Sequence, residues 1–150
     1  MAGLTSAICT TFKKELLEGD HDFNNGADAF KIALFKANAS ISGTYGAATT
    51  NYSDVTGNSD ETTGTGYSSG GNTLTNVNPT TSGTTAFTDF ADTSWTSATF
   101  TTRGAIIYNT NDSNSAVMII DFGADFSVSG GTFTVEFPAA GASTAILRIA

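Results

Sequence analysis

From Ala29 onward the chain alternates. In Phe30-Lys31-Ile32-Ala33-Leu34-Phe35-Lys36, Phe30, Ile32 and Leu34 fall on one face and Lys31, Ala33 and Phe35 on the other. A side-chain period of two is that of an extended strand, and no other feature constrains the fold as much. The same signal returns in residues 73–77, 86–90, 96–101, 105–108, 116–122, 131–137 and 145–149, several of them rich in Thr, Val, Ile and Phe. Such residues suit a pleated, half-buried surface. Turn chemistry separates most of the segments, most clearly at residues 109–114 and at Gly130-Gly131. About eight short strands predict an all-β sandwich in one domain over residues 1–150.

Two stretches depart from that period. Leu4, Ile8, Phe12 and Leu16 recur every four residues, with Lys13, Lys14 and Glu15 between them, which predicts one short helix over residues 4–17. Thr5 or Ser6 is the expected cap and Gly19 the expected stop. A helix of that length is marginal alone and must dock, on its own domain or on a partner. Residues 40–72 are Ser, Thr, Gly and Asn with few large side chains, and read as a long surface loop. Its tyrosines, Tyr45, Tyr52 and Tyr67, either pin the loop to its own sheet or serve as interface anchors, since Tyr combines large contact area with few rotors.

Charge narrows the partners. Fourteen acidic residues against six basic ones give a net charge of −8 and a pI near 4.2, which repels phosphate backbones and anionic headgroups. Neither a nucleic-acid nor a membrane partner is expected. Only 13% of residues are charged, about half the usual share, so neutral polar residues make the surface. A surface short of Lys and Glu suits one that becomes covered. The opening residues have no signal-peptide pattern, so synthesis in the host cytoplasm is expected, and the Asn-x-Ser triplets at Asn38, Asn51 and Asn111 carry no weight.

Reactive chemistry finds little support. One cysteine, Cys9, permits no internal disulfide, and it reads as a buried thiol. The one histidine, His21, lies in Asp20-His21-Asp22, which reads as a solvated turn. Asp20, Asp22 and Asn24 match the first positions of a calcium loop, but Asn25 replaces its glycine and Lys31 its bidentate Glu, so this too reads as a turn. Asp121 and Asp125 flank a strand end where a cation could sit. Glu136, Asp121 and Asp89 have the residue type of a carboxylate glycosidase. No catalytic residue, cofactor or metal is predicted.

One resemblance spans most of the chain. Residues 80–92 and 95–105, Gly64-Thr65-Gly66-Tyr67 with Gly70-Gly71, Ile119-Ile120-Asp121-Phe122-Gly123, Thr132-Phe133-Thr134-Val135 and the opening Phe12-Lys13-Lys14-Glu15-Leu16-Leu17 resemble small virion proteins of tailed bacteriophages, the capsid cement or decoration proteins. The resemblance implies a jelly-roll-like body and a purely binding, non-enzymatic role on the outer capsid surface of the virion. The expected partners are the major capsid protein and the chain itself, as a symmetric homo-oligomer, dimer or trimer. The expected contacts are the helix and the 40–72 loop, with Phe12, Tyr45, Tyr52 and Tyr67 as partner-binding anchors. A tail or fibre component touching the host receptor is the alternative, and a glycosidase the less favoured one.

Overall fold

The computed structural model describes residues 2–150, and the chain is mostly β, with 48% of residues in strands and 11% helical. In order come β1 (Gly3–Leu4), β2 (Ala7–Ile8), α1 (Thr10–Glu18), β3 (Phe30–Leu34), a 3-10 turn (Asn38–Ser40) and β4 (Thr44–Tyr45). Then follow α2 (Ser53–Gly57), β5 (Asn72–Thr73), β6 (Asn76–Ser82), β7 (Thr85–Phe90), β8 (Thr93–Asn109), β9 (Ser115–Val135) and β10 (Leu147–Ile149). One sheet has the order β2-β9-β8-β3-β5, a second β10-β7-β6, and β1 pairs with β4. Every pairing in the two larger sheets is antiparallel; β1 and β4 run parallel.

Phenylalanines join the two larger sheets. Phe30 of β3 stacks on Phe23 at 4.5 Å and meets Phe90 of β7 at 5.6 Å, while Phe12 sets its edge on Phe23 and so docks α1. Phe12, Phe30, Ile32, Leu34, Ile106, Ile107 and Ile119 are all essentially without solvent contact.

The amino-terminal helix is shorter than its spacing predicts. Leu4 and Ile8 lie in β1 and β2, where Leu4 pairs with Tyr45 and Ile8 with Met118. Strand partners far along the chain outbid local helix propensity, which is weak over so few residues. Neither Thr5 nor Ser6 caps: α1 begins after extended Cys9 without a side-chain cap, and Ser6 instead hydrogen-bonds the backbone of Asp121. Gly19 ends the helix in the left-handed conformation, as expected.

Strand boundaries also shift. Residues 73–77 divide between β5 and β6, and so pass from one sheet to the other. Four of the predicted segments merge into β8 and β9, 17 and 21 residues long, which form one hairpin closed at the predicted 109–114 turn. Gly130-Gly131 is not a turn. Gly123 and Gly130 adopt positive φ near shifts in the ladder, where the strand bulges and continues. The 40–72 stretch is not bare loop either, since it carries β4, α2 and the start of β5.

Candidate interaction surface

Two adjacent carboxylates organise the 40–72 segment. Asp60 accepts the backbone N–H groups of Ser42 and Gly43 and the hydroxyls of Ser42 and Tyr45, the last at 2.7 Å. Burial opposes its ionisation, yet these donors outweigh burial and hold its carboxyl below the usual range. Glu61 accepts Tyr52 Oη at 2.5 Å, Tyr67 Oη at 2.8 Å, Ser69 Oγ at 2.9 Å and the Gly70 N–H at 2.7 Å. Each carboxylate therefore gathers one end of the segment.

The four proposed anchors all make internal contacts, with Phe12 and Tyr45 buried and Tyr52 and Tyr67 half-buried. Phe12 and Tyr45 are buried, so neither ring offers surface to a partner. Tyr52 stacks on Tyr108 at 4.4 Å, and Tyr67 packs against Trp95 and Phe100 while its hydroxyl also accepts the Leu34 N–H. Burial, then the Glu61 carboxylate, pushes the Tyr52 hydroxyl up to about 12, and burial raises Tyr45, Tyr67 and Tyr108 as well. These tyrosines pin the segment to its own sheet. Sequence reasoning missed Asp60 and Glu61, although an acidic pair in a stretch otherwise nearly free of charge was the available signal.

His21 is buried, not solvated. Its ring lies 4.8 Å from that of Phe12, and Nε2 faces Glu15 at 3.0 Å and Asp112 at 3.9 Å. Three potential metal ligands thus converge. Their surroundings oppose a metal. Asn109 Oδ1 accepts the Asn111 N–H and its Nδ2 donates to Asp28, which fixes the amide so that Nδ2 also donates to His21 Nδ1. Nδ1 must then carry the lone pair and Nε2 the proton, the reverse of the pattern that supports a metal-bound histidine. The cluster does not fit a metal. It is a hydrogen-bond network in which Nε2–H donates to Glu15, and Glu15 also accepts Ser115 Oγ at 2.6 Å.

Asp22, Asp121, Asp125 and Asp89 are similarly engaged. Asp22 Oδ1 accepts the backbone and side-chain nitrogens of Asn24, so that run is an Asx turn as expected. Asp121 is paired with Arg103 at 2.7 Å, which lowers its carboxyl below the usual range, and Asp125 accepts the Asn38 N–H. Asp121 pairs with Gly104, and Val135, next to Glu136, pairs with Thr93. The strand bends between these points, since the Phe122 ring lies 6.2 Å from that of Phe133; Asp121 is held by Arg103, while Glu136 lines the groove beside Phe133. Asp89 is buried, which raises its carboxyl, and it accepts the N–H groups of Phe90 and Ile146.

What is left open is the outer half of the β8–β9 hairpin. Residues 93–102 and 126–135 contain no charged side chain. The β8 edge is covered: Thr99 N–H donates to Thr65 O at 2.9 Å, and Thr62 Oγ1 donates to Thr101 O. The β9 edge is not. β2 pairs only with Met118 and Ile119, the Ser6 hydroxyl reaches Asp121, and among the described residues no strand lies beside residues 126–135. Near that edge Phe122, Phe126 and Phe133 line a shallow groove of about 290 Å³, with Phe126 47% exposed. Comparison of the chain with protein-family models, with curated proteins and with solved structures returns no match.

Proposed function

We propose that the protein is a virion structural protein of a tailed bacteriophage, a capsid cement protein that binds the outer surface of the head and clamps adjacent major capsid subunits. The carrying observation is the charge-free outer half of the hairpin with its phenylalanine groove, in a chain of net charge −8. An uncharged, partly apolar surface is inexpensive to desolvate, and on a shell each modest contact is multiplied over many copies. Leu17, 91% exposed on α1, adds a second apolar point. The surface moves away from the buried anchors Phe12 and Tyr45, but the mode of action stays the same.

Supporting this reading, His21, Asp60, Glu61 and Asp121 are held in internal hydrogen bonds. The jelly-roll-like course belongs to the same proposal. It is supported by two antiparallel sheets of five and three strands that meet through Phe30 and Phe90. The experiment is to mix purified protein with heads stripped of decoration and to sediment them. Binding in stoichiometric amounts, with a higher temperature of head disruption, is expected. Absence of binding, or antibody labelling of virions confined to the tail tip, would overturn the reading.

A further inference from the structure

We infer that the open edge of β9 is a self-pairing surface, on which a second copy of this chain adds its own β9 in antiparallel, two-fold register centred between Gly130 and Gly131. The inference deepens the oligomeric part of the proposal above and can fail separately from it.

An exposed strand edge is a template for pairing, and folded proteins usually guard it with Lys, Pro, an inward charge or a covering segment. The β8 edge has its covering segment. Residues 126–135, Phe-Ser-Val-Ser-Gly-Gly-Thr-Phe-Thr-Val, have no charge, no proline and no cover among the described residues.

The order of these residues selects the occupant. Read against its own reverse, the segment places Phe126 opposite Val135, Ser127 opposite Thr134, Val128 opposite Phe133, Ser129 opposite Thr132 and Gly130 opposite Gly131. Every pair matches in kind. The positive φ of Gly130 marks a bulge that keeps the apolar residues on one face, so Ser127, Ser129, Thr132 and Thr134 are exposed while Val128, Phe133 and Val135 are at least partly covered. Two-fold pairing then sets apolar residues against apolar on one face and hydroxyls against hydroxyls on the other, as cross-strand pairing favours. The glycine pair at the dyad has no side chains to clash where both strands bulge. The paired segment itself carries no charge, which keeps the repulsion between two chains of net charge −8 away from its centre, although Asp125 and Glu136 flank it. The ladder would be about 34 Å long, and it would bring the two phenylalanine grooves toward one another.

The test uses the full chain. Light scattering should give twice the chain mass. Ser129→Asp with Thr132→Asp sets carboxylates opposite each other at two points and should raise the dissociation constant by about 100-fold, whereas Ser129→Asp with Thr132→Lys should restore the dimer. Far-UV circular dichroism checks that both variants remain folded. Cys9 is buried, so an introduced surface thiol is the accessible one. An equimolar mixture of Ser129→Cys and Thr132→Cys chains should cross-link with a short bis-maleimide, more than either variant alone and more than Thr84→Cys on the distant β6–β7 turn. A monomeric wild type, a trimer, an oligomer indifferent to the double Asp variant, or cross-linking without the 129 to 132 preference would overturn the inference. A monomer that still binds heads would overturn this inference and leave the cement reading standing; a dimer that ignores heads would do the reverse.

Discussion

Glu61 shows how much one buried side chain can organise. Its carboxylate takes hydrogen bonds from two tyrosines, a serine and a glycine N–H, and it is 8% exposed. Removing the acceptor leaves four donors without a partner, and stranded donors cost more than the net worth of the bonds. Glu61→Ala is expected to lower stability by about 3 kcal/mol and Glu61→Gln by roughly half as much, since one carbonyl oxygen remains. Urea unfolding followed by far-UV circular dichroism measures both. Equal losses for the two variants would mean that the hydrogen bonds are not what matters there.

Among the elements, the β8–β9 hairpin is decisive, and its register depends on a glycine. A Cβ on Gly104 would lie 2.2 Å from the backbone oxygen of Ile120, across the ladder beside the Arg103 bulge. Backbone cannot yield as a flexible side chain can. Gly104→Ala is expected to cost ~3 kcal/mol or more in thermal unfolding. Gly57→Ala, at a helical position with open space around it, should be neutral or stabilising by up to about 1 kcal/mol. The class of this hairpin was legible, because β-branched and aromatic residues alternate along it and its closing turn stands out. Its length was not. Arg103-Gly104, Gly123 and Gly130-Gly131 resemble breaks in sequence, whereas a long partner strand turns them into bulges. Helix α1 was overextended for the complementary reason: four-residue spacing continued through Leu4 and Ile8, whose partners Tyr45 and Met118 lie too far along the chain for periodicity to register. The tyrosines of the 40–72 segment were visible as a group. Their direction depended on Asp60 and Glu61, and direction is a tertiary property.

At the scale of the whole molecule, protonation sets an alkaline limit. Burial, followed by the nearby charges of Glu15 and Asp54, raises the Cys9 thiol from 9.0 to about 11, and Tyr52 rises from 10.0 to about 12. The folded chain therefore keeps protons that the unfolded chain releases. Their contribution is complete below pH 9 and is lost as pH rises through the folded values, so the urea midpoint should fall between pH 9 and 12. Cys9 alone accounts for roughly 2 kcal/mol of that fall by pH 11, and Cys9→Ala should remove its share of the slope. A midpoint constant over that range would contradict the burial of these groups. Asp60 and Asp121, held below 3.8, set the corresponding acid limit, since what they contribute is present above that pH and lost as pH falls through their folded values. The placement of β1 and β2 also governs when the molecule can form at all. Residues 3–8 find their partners at 43–45 and 117–119, so β2 is made on the order of ten seconds before the part of β9 with which it pairs. Helix α1 cannot persist alone through that interval, and β9, on which it docks, emerges late. β1 can meet β4, and β6 can meet β7, while synthesis continues, but the five-stranded sheet closes only after β9 has been made, and only then can β2 and α1 take their final positions.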